Sequence, residues 1–208
     1  LAYAYAMIIG KKNLSGIIGI GACPYANPKP FQDKKSDDMF KYGFYFGNRA
    51  YVRLFGRRTT GSFINFFINR LVKNWDEHNH SHIFYRNTTP LYIQKKLLYT
   101  LDSEPAGVYV DMIFGKDPYK YKGFWIDPQT LYNYSKNLDK IKVPILFIAG
   151  ENDTQDPADG IYHAYESVSS IKKEYYSFPK HSHSDLLLGD DASNLIFPKI
   201  HSFMCSNN

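Results

Sequence analysis

One stretch constrains this chain more than any other: Val143-Pro144-Ile145-Leu146-Phe147-Ile148-Ala149-Gly150, an apolar run that ends on glycine and passes straight into Glu151-Asn152-Asp153. A strand without polar alternation has to be covered on both faces, and that is the condition of a strand in the parallel sheet of an α/β protein. The flanking punctuation agrees. Pro157 to Ser167 reads as a helix, Glu174 to Phe178 as a strand, and Ser193 to Met204 as a closing amphipathic helix.

The beginning of the chain carries a second sign of the same class. Leu1-Ala2-Tyr3-Ala4-Tyr5-Ala6-Met7-Ile8-Ile9 is rich in Ala and long apolar side chains, stops at Gly10, and is followed by the polar turn Lys11-Lys12-Asn13. That is how a buried helix ends. Ser15 to Gly21 is a short apolar run bounded by glycines, so a helix is followed directly by a buried strand, as in a βα unit. No basic region precedes the opening segment, as a signal peptide would require, and it is read as a helix already in progress.

From Pro28 the composition shifts to Pro, Lys, Asp and aromatics, and no strand-like apolar run follows until the last third. Thr59-Thr60 caps an expected helix in which Ile64, Phe67, Ile68, Leu71, Val72 and Trp75 share one face. Thr89-Pro90 opens another, and Ser103 with Pro105 a third that Gly115 closes. The expected organisation is therefore core over residues 1–27, an inserted helical cap over 28–138, and core again over 139–208.

Several function classes fall away on composition. The charge of +5 comes from 25 basic and 20 acidic residues that are interspersed, without the basic block a nucleic-acid partner requires. No apolar run approaches the roughly 18 to 20 residues of a membrane span. Cys23 and Cys205 have neither metal-ligand nor disulfide-framework spacing. His78, His80 and His82 alternate, but no acid or Cys pattern accompanies them, and they read as a solvated polar loop. Compartment and oligomeric state are not encoded in these features.

The chemistry-bearing residues stand at two places. Gly150-Glu151-Asn152-Asp153-Thr154 follows the buried strand, and His181-Ser182-His183-Ser184-Asp185-Leu186-Leu187-Leu188-Gly189 follows the next one. Open α/β sheets put their sites at the carboxyl ends of their strands, so an acid and a histidine placed this way can meet above the sheet. Asp153 is the expected acid; Asp156 and Asp159 compete but lie further from the strand end. His183 is the expected base, His181 its runner-up, and Asp185 a residue that supports the loop. Gly21-Ala22-Cys23-Pro24-Tyr25 partly imitates a nucleophile turn, but Tyr25 replaces the second glycine, and Cys23 reads as a small buried thiol.

These two motifs, in this order, resemble the α/β-hydrolase superfamily and its lipase- and esterase-like members. Val143 to Asp153 resembles the family's strand and triad acid, and His183-x-Asp185 followed by apolar residues and Gly189 its triad-histidine loop. The Ala-rich opening and Gly16 to Gly21 look like the helix behind the nucleophile elbow and the strand after it. The likeness covers the two ends of the chain, while the middle matches only as a cap of the expected size and place. The resemblance implies the C-terminal part of the fold, hydrolysis of a lipophilic carboxylic ester or lipid, no cofactor, and catalytic roles for Asp153 and His183. It also implies a nucleophilic Ser in a Gly-x-Ser-x-Gly turn ahead of the acid. No such motif occurs in the 208 residues, so the Ser is expected upstream of Leu1, the segment alone is expected to be inactive, and its sheet to expose an apolar edge. A non-catalytic binding module and an acyltransferase of the same fold are the rival readings.

Overall fold

The strand β2, Ile145–Gly150, is buried along its whole length. Its side chains alternate between two cores, as a period of two requires. Ile145, Phe147 and Ala149 join one cluster with Ala6, Met7, Ile17, Leu138, Ile161 and Ala164. Leu146 and Ile148 join the other with Leu186, Ala192, Ile196 and Phe203. Each large aliphatic or aromatic residue so buried contributes about 1.5–3 kcal/mol relative to exposure, which is why the run tolerates no polar residue. The computed structural model describes residues 2–10, 13–25, 88–100, 124–127, 130–153 and 155–207.

Two further strands flank β2 in parallel. β1, Ile17–Ile20, pairs with it in the register Ile17 to Ile145 and Ile20 to Ile148, and β3, Lys173–Phe178, in the register Lys173 to Ile145 and Phe178 to Gly150. The sheet order is β1-β2-β3. Helix α1, Ala2–Ile9, lies on the first core, with Ala6 and Met7 buried, and α2 spans Leu91–Thr100. A 3-10 helix, Ser135–Lys140, brings Leu138 into the same core. Helix α3, Ala158–Ser167, connects β2 to β3 and buries Ile161 and Ala164 on that face. The opposite face is covered by α4 (Asp185–Leu188), α5 (Ala192–Leu195) and α6 (Phe197–Cys205). A parallel sheet between two helical layers is the expected α/β class.

One local outcome differs from the sequence reading. The single closing helix expected over Ser193 to Met204 is two, because Pro198 sits at the start of α6 and cannot donate the amide that would continue the α5 ladder. Leu138, the last residue assigned to the cap, packs in the core beside Ile141 and Val143. Of the cap segment, residues 88–100, 124–127 and 130–138 are described. The helices expected around Ile64 to Trp75 and after Ser103, and His78, His80 and His82, lie outside the described residues. Among the described residues no helix is long and apolar enough to cross a membrane.

Candidate active site

The polypeptide leaves β2 in a tight turn that Asp153 itself organises. Asp153 Oδ1 accepts the amides of Gln155 at 2.8 Å and Asp156 at 2.9 Å, a side-chain-stabilised turn of the kind aspartate favours. With that oxygen anchored, Oδ2 points at the loop after β3 and meets His183 Nδ1 at 2.9 Å. The Asp153 side chain is fully buried, whereas the imidazole is 32% exposed. A buried carboxylate needs hydrogen bonds to offset its desolvation, and here two amides and one imidazole supply them.

The tautomer follows from the partners. An ionised carboxylate only accepts, so Nδ1 carries the proton and donates it to Asp153, which leaves the Nε2 lone pair as the basic face of the ring. The two loops approach closely because of Gly150. A Cβ at that position would stand 2.6 Å from the His181 carbonyl oxygen, and the Asn152 amide donates to the same oxygen at 3.0 Å. Gly21, at the end of β1 with φ of +53°, closes the pair from the third side: a Cβ there would stand 3.1 Å from His183 Nδ1 and 3.3 Å from Asp153 Oδ2.

The histidine loop is held by its own network. Asp185 Oδ2 accepts the Ser182 amide at 2.9 Å and its Oδ1 accepts the Thr89 hydroxyl at 2.6 Å. Thr88 donates to the Lys180 carbonyl at 2.8 Å, and its own carbonyl accepts the Asp190 amide. The residues just ahead of α2 therefore brace the loop that carries His183.

Asp153 and His183, the two expected site residues, are thus in contact. His181 turns elsewhere: its Nδ1 meets the Pro179 carbonyl at 2.8 Å and its Nε2 meets Asp191 Oδ1 at 3.0 Å, so it anchors the loop. Asp185 supports the loop as expected. Asp159 stays exposed in the first turn of α3, bonding the Gly160 amide. Asp156 is the competitor that the strand-end argument undervalued, for its Oδ2 lies 3.7 Å from His183 Nδ1. Cys23 is 3% exposed, with its Sγ where a Gly160 Cβ would collide with it at 2.5 Å, the position of a packed thiol. Gly21 and Thr89 were missed. Only the glycine had a local signal, its place at a strand end, and nothing near Thr89 in sequence announces Asp185.

An acid after one parallel strand, bonded to a histidine after the next, above the carboxyl edge of a two-faced sheet, is the arrangement of the α/β hydrolases, and this chain has that fold. Comparison with known proteins finds the same fold. The chain is similar to the esterase of Thermogutta terrifontis, with a TM-score of 0.61 at 13% identity over 99% of this chain and 61% of that one. It is also similar to a bromoperoxidase of Bacillus anthracis (TM-score 0.57, 14% identity, 98% and 62%) and to an α/β hydrolase from a deep-sea metagenome library (TM-score 0.50, 16% identity, 98% and 60%). Among curated proteins it resembles Protein bem46 of Schizosaccharomyces pombe, 36% identical over 67 residues, or 32% of this chain. No family model matches. The chain spans about 60% of these solved structures, and the matched segment 21% of the curated relative.

Proposed function

We propose that this chain contributes the acid and the general base of a serine-type carboxylic ester hydrolase. The observation that carries the reading is the 2.9 Å bond between buried Asp153 and half-buried His183, with the tautomer it imposes. In the reaction, Nε2 takes the proton of a nucleophilic hydroxyl as that oxygen attacks the acyl carbon, then returns it to the leaving alcohol. Asp153 stabilises the imidazolium formed in between.

In this reading the nucleophile precedes α1 in chain order. The support is positional: Tyr3, in the first turn of α1, donates to the Ala22 carbonyl at 3.1 Å, and Ala22 adjoins the Gly21 that lies against His183. A turn leading into α1 would therefore stand beside the imidazole. An ester hydrolase among the structural neighbours is compatible with this chemistry. A lipophilic acyl group is proposed from the aromatic density of the cap sequence, as in Phe40, Tyr42, Phe44, Tyr45 and Phe46.

The protein that carries this chain together with the segment ahead of α1 is expected to release acid from a short nitrophenyl ester. His183→Ala is expected to lower kcat/KM by about 10²–10⁴, and the 208 residues alone to release none. Ester hydrolysis that survives His183→Ala at the wild-type rate, or that the 208 residues perform unaided, overturns the proposal.

A further inference from the structure

The turn that presents Asp153 also directs a second carboxylate to the same imidazole. Asp156 Oδ1 accepts the Cys23 amide at 3.0 Å, from the loop after β1, and Oδ2 stands 3.7 Å from His183 Nδ1. The Nδ1 proton is already engaged by Asp153 at 2.9 Å, and 3.7 Å is too long for a hydrogen bond. It is within the range at which a carboxylate and an imidazolium attract. Asp156 therefore acts on the ring as a charge, without setting its tautomer.

We infer that Asp156 is a positioning residue for the His183 base: the Cys23 amide holds its carboxylate against the Nδ1 edge, where it stabilises the imidazolium alongside Asp153. The consequence for catalysis rests on the hydrolytic reading above, while the electrostatic effect on the ring does not. Two negative charges then face one ring nitrogen, raising the proton affinity of the base and favouring its protonated form as the nucleophile is activated. The link to Cys23 also ties three loop ends to one imidazole: that after β1 through Cys23, that after β2 through Asp153 and Asp156, and that after β3 through His183.

Among the described residues, Cys23 itself and Tyr3 on α1 are titratable groups beside this cluster. The Tyr3 phenol is held well above its ordinary value by burial first, then by Cys23 and Asp156, so it stays neutral beside them through the working pH range. On the histidine's own loop, His181 is engaged with Pro179 and Asp191, and Asp185 with Thr89 and Ser182.

The test is an NMR titration of the His183 ring in the full-length protein, which reads the imidazole independently of activity. Asp156→Asn keeps an oxygen for the Cys23 amide and removes the charge; Asp156→Ser removes the charge with a shorter side chain. Because the ring is a third exposed, each is expected to lower the midpoint by about half to one pH unit. The acid limb of kcat/KM should move down equally. Asp156→Glu keeps the charge and should titrate near wild type. Neutral variants that titrate with the wild-type midpoint overturn the inference. So does a Glu variant that falls as far as Asn, since packing and not charge would then be responsible. A lowered midpoint in a protein that hydrolyses no ester retains this inference and removes the proposed function; hydrolysis lost in His183→Ala, with the His183 midpoint unmoved in the neutral Asp156 variants, does the reverse.

Discussion

At Gly21 the backbone turns with φ of +53°, and the space a methyl group would need is taken by His183 Nδ1, His183 Cε1 and Asp153 Oδ2, all within 3.1–3.3 Å. Gly21→Ala imposes a left-handed conformation on an L side chain, costing about 1–2 kcal/mol, and pushes on both members of the pair. Urea unfolding is expected to register that loss, and ester hydrolysis to fall beyond it; a variant with wild-type stability and rate would show that the pair has room to move. That Asp153 and His183 can meet was legible in the sequence because each follows a recognisable strand. The contacts of Asp156 and Gly21 were not legible, because they cross long gaps in the chain: Asp156 bonds Cys23 over a separation of 133 residues. Local pattern carries no information on which segments meet.

The elements that position the site are β2 and the two loops at its carboxyl end, and Gly150 is where they touch. The atom facing a Cβ there is the His181 carbonyl oxygen at 2.6 Å, part of the backbone, which cannot swing aside as a flexible side chain could. Gly150→Ala is expected to destabilise the fold by about 1–3 kcal/mol, as overpacking does, and to lengthen the Asp153–His183 contact. Thermal melting measures the first, and loss of the hydrogen-bonded Nδ1 proton signal of His183 the second; retention of both would contradict the contact. At this scale the long, strongly patterned pieces were legible, β2 most plainly, since its short β-branched apolar run lies between Pro144 and Gly150. The 3-10 helix Ser135–Lys140 and the one-turn helix α4 were not, being too short to show a period. The split of the closing helix had a signal in Pro198.

Among the described residues the sheet is covered on both faces, and β1 and β3 are its two edge strands. Among the described residues, the outer edge of β1 pairs with no named strand, and on the adjoining α1 Tyr5, Ile8 and Ile9 are 41%, 64% and 47% exposed. An open strand edge beside exposed apolar side chains invites pairing with other chains. The 208 residues are expected to self-associate, as read by light scattering; a monodisperse monomer that melts cooperatively contradicts this. What the sequence determined unaided was the class of fold and the strand ends beside which Asp153 and His183 stand, because hydrophobic period and turn chemistry act over a few neighbouring residues. Which residues surround the imidazole was decided only by tertiary structure: three loops converge there because β1, β2 and β3 pair side by side, and pairing between distant segments is a property of the folded sheet as a whole.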